Sequence, residues 1–545
     1  MSENENLFKF EIENKKEDPL TNYKRLKPKK PKTLLIMSSV TLIGLIFIGI
    51  TLLVTSLRDD DDKINYINEV TLKYEITNIS MQVKLFDISE TNITDSIKSM
   101  EIDKKQIKTT SNYTFQEEGN YTVNIKFKKN LNSLISLFKN CENLIEVDFS
   151  NFNFENVTNI SYLFFGCSSL VKIHWPNPIN TSNIKDMSYL FFGCSSLTKI
   201  NLLNFNTSSV IYMKYTFGYC SSLTLIIQKF NTSNVIDMEG LFESCSSIDS
   251  IDLYTFNTSK TKIMSKMFKG CTSLEYVYLN TFRIKNVIDF SYMFLSCYKL
   301  EKLDLSKFTT SQAKSMRQMF KDCSNMYYLD MSNFKTDNVE DIFQMFSGCS
   351  ELNYLKINNL NTSKVTNMSD LFYNCSSLDK INLSNFDTSN VITMSGMFSH
   401  CSYLTSLNLS NFNLSKVVYL DNMFYNCNNL GKIIFNNQLQ NNKLSKLLYM
   451  NNMFNSCQEL YSINLGNIII EHVLNINGLF EGCSHLKDIN LSHFHTSNLE
   501  YYENAYKGIN CNGKIAINSS IYDKNILNEL PDEWTIIDIN DSFFR

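Results

Sequence analysis

The chain reads as an α/β repeat: a solenoid of about fourteen coils, each a short strand plus a short helix. A transmembrane helix and a small β cap are expected to precede it. Three observations lead there. All fifteen cysteines fall in one series from Cys141 to Cys511, most of them 26 residues apart. A phenylalanine stands three residues before each of the first fourteen, from Phe138 to Phe480. One uncharged apolar run, Thr33 to Leu57, stands near the start of the chain. Self-similarity at a fixed period of 20–50 residues is the signature of stacked repeats, because one unit cannot bury its apolar face alone.

Composition agrees. With 545 residues the chain is too long for one ordinary core, and only 16 Gly and 6 Pro occur. The formal net charge of −4 gives no basic field, so no nucleic-acid partner is expected.

From the N-terminus, residues 1–32 are mixed in charge without helical period and read as a disordered cytosolic tail. Residues 33–57 are 25 uncharged residues, enough to span a hydrocarbon core as a transmembrane helix. Lys24, Arg25, Lys27, Lys29, Lys30 and Lys32 precede the run, and Asp59 to Asp62 come after it. The positive-inside bias then gives a single-pass type II plasma-membrane protein with its C-terminal part extracellular. A signal peptide fits less well, since the run starts late and no small-residue cleavage pattern comes after it. Residues 58–130 contain short alternating segments such as VTLKYEIT and GNYTVNIKF, which suit a linker and a small β domain capping the array.

Residues 131–510 carry the repeat. In the unit from Cys375 to His400, Leu378, Ile381 and Leu383 suit a short strand, with Lys380 and Asn382 on its other face. Phe386 closes the turn, and Ser389 or Asn390 is placed to cap the segment after it. Val391, Met394, Met397, Phe398 and Cys401 recur at steps of three and four, which predicts a short inward-facing helix. Residues 511–545 are expected to form a C-terminal cap.

The repeat FxxCSSLxxIxLSNFxTSxVxxM resembles that of the BspA-like leucine-rich-repeat surface proteins, over residues 131–510. LPDEWTII, Leu530 to Ile537, is similar to the segment that ends such arrays. The pattern is interrupted after His174, after Ile434 and around Cys511. The resemblance implies surface display and adhesion. It supplies no ligand and no catalytic residue.

The cysteines invite a disulfide reading in an extracellular chain. Equivalent residues on stacked coils would lie about 4.8 Å apart with parallel Cβ vectors, whereas a disulfide prefers about 3.8 Å between Cβ atoms. A buried thiol ladder is therefore expected, with bridging of some neighbours as the alternative. No C-x-x-C pair occurs, so no metal site is expected, and nothing in the sequence calls for a cofactor. His493 and His495, the only close histidine pair, occupy variable turn positions. No G-x-S-x-G, P-loop, Rossmann or H-E-x-x-H pattern is present, and the chain is not expected to be an enzyme.

The outward strand positions say more. Stacking brings Tyr276, Tyr278, Lys302, Asp304, Tyr328, Asp330, Tyr354 and Lys356 into one patch, and tyrosines among charges are common in interfaces. The competing reading is a solvated sheet face held by cross-strand pairs. Nineteen N-x-S/T sequons lie beyond Leu57, with Asn78, Asn112, Asn120, Asn231 and Asn361 as glycosylation candidates, although TSN turns are structural too. The resulting expectation is a non-catalytic surface protein binding an extracellular protein or glycan through its strand face. A signalling receptor and a surface hydrolase are the alternatives.

Overall fold

The computed structural model describes residues 68–539, apart from 80, 90–92, 436–442 and 467. The described residues lie in one compact unit, Tyr66–Arg545. They form a β-solenoid with a mixed β-sheet at its start.

Eight strands build that start: β1 (Glu69–Ile76), β2 (Val83–Lys84), β3 (Ile97–Ile102), β4 (Lys105–Ile107), β5 (Asn112–Tyr113), β6 (Gly119–Phe127), β7 (Leu144–Asp148) and β8 (Lys172–His174). Six of them make one sheet in the order β4-β3-β6-β1-β7-β8. Strand β1 alternates as a half-buried strand should, burying Val70, Leu72, Tyr74 and Ile76. It pairs antiparallel with β6 on one side and with β7, the first strand of the solenoid, on the other. From β7 to β8 the pairing turns parallel, one coil to the next. The open end of the array is thereby covered, and its first strand has no bare edge.

Each coil then folds by one rule, seen in the stretch from Asn367 to Cys401. The amides of Met368, Asp370, Phe372 and Asn374 donate to the carbonyls of Thr393, Ser395, Met397 and Ser399 in the next coil, at 2.8–2.9 Å. The amides of Tyr373 and Cys375 turn back within the coil to Asp370 and Phe372, each at 3.1 Å. Alternate amides thus serve the neighbour and the coil's own turns. The geometry requires left-handed backbone at two places per coil, Asp370 (φ 54°) and Asn374 (φ 56°), matched by Gly396 (φ 65°) and His400 (φ 64°) one coil on.

This corrects the expected helix in each coil. Two left-handed residues four positions apart, Gly396 and His400, interrupt the right-handed helix expected over Val391–Cys401. The steps of three and four among Val365, Met368, Phe372 and Cys375 come from consecutive tight turns, and all four are buried. Among the described residues the only helical pieces are two short 3-10 turns, Ile93–Ser96 and Lys524–Glu529. The expected transmembrane helix and the single-pass plasma-membrane placement built on it are likewise corrected. Among the described residues no helix is long and apolar enough to cross a membrane. Residues 1–32 and 33–57 lie outside the described residues.

Three columns run through the core. The phenylalanines stack from Phe138 to Phe480 and end on Tyr506; Phe346 and Phe372 are 5.5 Å apart with parallel planes. The cysteines from Cys141 to Cys483 are free and buried. Thiol protons go to the Phe carbonyl of the preceding coil, as from Cys401 to Phe372 at 3.1 Å and from Cys427 to Phe398 at 3.0 Å. The first rung, Cys141, has Tyr74 of β1 beside it instead. Buried threonines form the third column. Thr362 donates to Asp387 O and Thr388 to Asn413 O, at 2.9 and 3.0 Å.

Most outer strands before the C-terminal sheet are short and pair two coils at a time, as Leu225–Gln228 does with Lys199–Leu202. At the C-terminus, strand Asn512–Ile517 lies between Asp488–Asn490 and Glu533–Asp538, all parallel. Trp534 from the LPDEWTII segment donates its indole N–H to Asn510 O at 2.8 Å.

Candidate binding groove on the strand face

The eight strand-face residues stand on four successive coils. Strand Tyr328–Asp330 pairs with Tyr354–Lys356, putting Tyr328 beside Tyr354 and Asp330 beside Lys356. The two rings stack at 4.6 Å and 6°, and the ion pair closes at 3.2 Å. Strand Tyr276–Val277 belongs to a different pair, with Ser250–Ile251. Between these two pairs lies the coil of Lys302, which bridges to Tyr328 but shares no strand pairing with Tyr276 among the described residues.

A groove of about 420 Å³ opens where the pairing pauses. Tyr276, Tyr278, Lys302, Asp304, Tyr328 and Asp330 line it, over an apolar floor of Val277, Leu303 and Leu305. Tyr354 and Lys356 lie one coil further and do not line it. Coils are spaced about 4.8 Å apart, so Tyr276 and Tyr328, two coils apart, stand about 10 Å from one another. Tyr278 is 62% exposed, more than any other tyrosine of the groove.

The two carboxylates differ in their surroundings. The Asp304 carboxyl is held below its usual range by hydrogen bonds from Ser306. Burial would raise Asp330, but hydrogen bonds from Ser332 and the Lys356 ammonium bring it below its usual value. Lys356 is paired, while the Lys302 side chain makes no ion pair among the described residues. The groove thus offers aromatic surface, one ammonium donor and carboxylate acceptors, which can hold a polar ligand but give it no proton-donating acid at neutral pH.

Sequence reasoning did not single out Ser306, Ser332 and Asn333, which also line the groove. They belong to the recurring S-x-F turn, and Asn333 is tied to Ser306 O at 2.9 Å. Among the glycosylation candidates, Asn231 and Asn361 use their side-chain oxygens to accept the amides of Ser233 and Ser363, at 3.1 and 3.0 Å. Asn112 lies in β5, Asn120 in β6, and Asn78 just after β1. His493 is tied to the Gly466 carbonyl. No group of three His, Cys, Asp or Glu that could hold a metal ion occurs among the described residues.

Comparison with solved structures finds 17% identity to a leucine-rich repeat protein from Bacteroides ovatus, covering 78% of this chain and 90% of that one, with a TM-score of 0.35. A Toll–Spatzle complex from Drosophila shares 15% identity over 70% of this chain and 48% of the other, with a TM-score of 0.24. The functional domain of InlJ from Listeria monocytogenes, described as including a cysteine ladder, shares 13% identity over 72% of each chain, with a TM-score of 0.20. No curated protein sequence matches. A family profile does match, at residues 78–177, 132–253, 174–275, 237–356, 343–460 and 431–517. These windows run without a gap over more than half of the chain, which therefore belongs to the family described as Mycoplasma protein of unknown function, DUF285.

Proposed function

We propose that this repeat protein is a non-catalytic binding protein, serving adhesion, that holds a protein or glycan ligand on its strand face. The observation that carries the reading is the groove at the paused pairing, where six of the eight strand-face residues converge over an apolar floor. Exposed tyrosines beside a few polar groups are the usual makings of a recognition surface. A hydrolase would need a carboxyl group that keeps its proton, and Asp304 and Asp330 are both shifted the other way.

The test is a binding screen of the full chain against neutral and acidic oligosaccharides and extracellular-matrix proteins. The double variant Tyr276→Ala/Tyr328→Ala is carried alongside. Its affinity for a ligand captured by the parent chain should fall at least tenfold with the unfolding temperature unchanged. Full-strength binding by the variant would remove the groove from the account.

A further inference from the structure

A second groove lies in the same coils, on the turns that succeed the strands. It measures about 650 Å³, and Arg283, Lys285 and Lys307 line it with Ser259, Thr281 and Thr309. No Asp or Glu is among its lining residues. All three cations are exposed, and none makes an ion pair among the described residues. The chain as a whole carries a net charge of −4, so this concentration of positive charge is local.

The repeat shows which residues these cations displace. After the turn phenylalanine, other coils carry Asn-Thr-Ser, as at 206–208, 231–233 and 257–259. There the Asn side chain accepts the amide two residues on, as Asn257 does from Ser259 at 3.1 Å. The coil of Phe282 has Arg283-Ile284-Lys285 instead. A guanidinium has no acceptor, so that turn forgoes the bond. Lys307 stands where other coils carry Asn333, Asn359 and Asn411, whose side chains donate to the coil before at 2.9, 2.7 and 3.3 Å. Lys307 makes no such bond among the described residues. Two structural hydrogen bonds are thus given up in neighbouring coils, and both exchanges bring a cation to one groove. Local departures from a repeat's own rule concentrate at functional positions.

From this geometry we infer that the Arg283 groove binds the sulfate esters of an acidic polysaccharide. A guanidinium fork engages two oxygens of a tetrahedral oxyanion at once, and the two lysines add point charge. Arg283 and Lys285 are exposed on either side of the buried Ile284, so both face solvent from one turn. Ser259 and Thr309 add hydroxyls to the lining, while the Thr281 hydroxyl donates to Leu253 O at 3.3 Å; hydroxyls beside cations suit a polyol that carries sulfate more than a polyphosphate with only anionic oxygens. The inference does not rest on the tyrosine groove, whose Asp304 carboxyl also feels the Lys307 ammonium.

The experiment measures binding of heparin, desulfated heparin and inorganic polyphosphate to the full chain at about 0.1 M salt, where surface charges act over about 10 Å. The test variant is Arg283→Asn/Lys285→Ser/Lys307→Asn, which installs residues that other coils hold at these places. An unchanged unfolding temperature confirms that it folds. The control, Lys364→Asn/Lys380→Asn/Lys416→Asn, removes the same charge elsewhere. Heparin affinity should fall at least tenfold, about 1.4 kcal/mol, in the test variant and stay within about twofold in the control. Desulfated heparin should not bind. Failure of the parent chain to bind heparin, equal losses in both variants, or binding of polyphosphate in place of heparin would each overturn the assignment. Retention of any tyrosine-groove ligand by the test variant keeps the two sites separable.

Discussion

Thr388 and Asn413 exchange two hydrogen bonds across neighbouring coils. The Thr388 hydroxyl donates to Asn413 O at 3.0 Å and receives the Asn413 amide at 2.7 Å. A buried side chain thus satisfies both backbone groups of one residue in the next coil. Thr388→Val keeps the shape and removes both bonds, leaving those groups unpartnered, at a cost of about 1–3 kcal/mol. Thr388→Ser should cost less, since its hydroxyl persists. Denaturant unfolding of the two variants checks the order.

The thiol column makes a prediction about reactivity. Fourteen cysteines are buried and only Cys511 is exposed. A thiol-reactive dye should label one thiol per native chain and fifteen after denaturation. Early labelling of several thiols would show that the column is open to solvent.

Those thiols also set an alkaline limit. Burial pushes Cys401 from 9.0 up to about 12, and Cys349 likewise. The native state therefore keeps protons that the unfolded chain releases above about pH 9. Stability is fully present below that pH and falls as pH rises toward 12, by about 1.4 kcal/mol per pH unit for each such thiol. Unfolding curves between pH 8 and 11 should shift steeply downward. Cys401→Ala should unfold at lower stability overall but with a shallower loss across that window.

Gly513 places the last cap. A Cβ there would stand 2.7 Å from the Trp534 ring and 2.6 Å from Lys487 O. Gly513→Ala must push the terminal strand away from the array, and should destabilise by about 1–3 kcal/mol. Raised amide exchange confined to residues 512–538 in this variant would show that the cap alone has loosened.

The period, the columns and the strand face were legible because stacking repeats each residue's environment every 26 positions. Phe372, Cys375 and Val391 are buried where their spacing places them. The helix was misread because Val391, Met394, Met397 and Cys401 show the same steps in tight turns as in a helix. The distinguishing signal was present in the positions just before the cysteines. Gly166, Gly193, Gly348, Asn374 and Gly482 are residues that tolerate left-handed backbone, and all have positive φ. The tyrosine groove depends on where strand pairing pauses, which side-chain spacing does not encode. The Arg283 groove escaped notice because its residues are ordinary in composition and unusual only against their own column.

The proposed function makes the strand face around Lys302 the place where this chain meets its ligand. Hydrogen exchange of the full chain, with and without a ligand captured in the binding screen, tests it most directly. Slowed exchange is expected in Tyr276–Leu279, Lys302–Ser306 and Tyr328–Ser332, with the turn ribbon at 367–375 unchanged. Protection confined to the turn ribbon or to the N-terminal sheet, with those three segments unaffected, would contradict it.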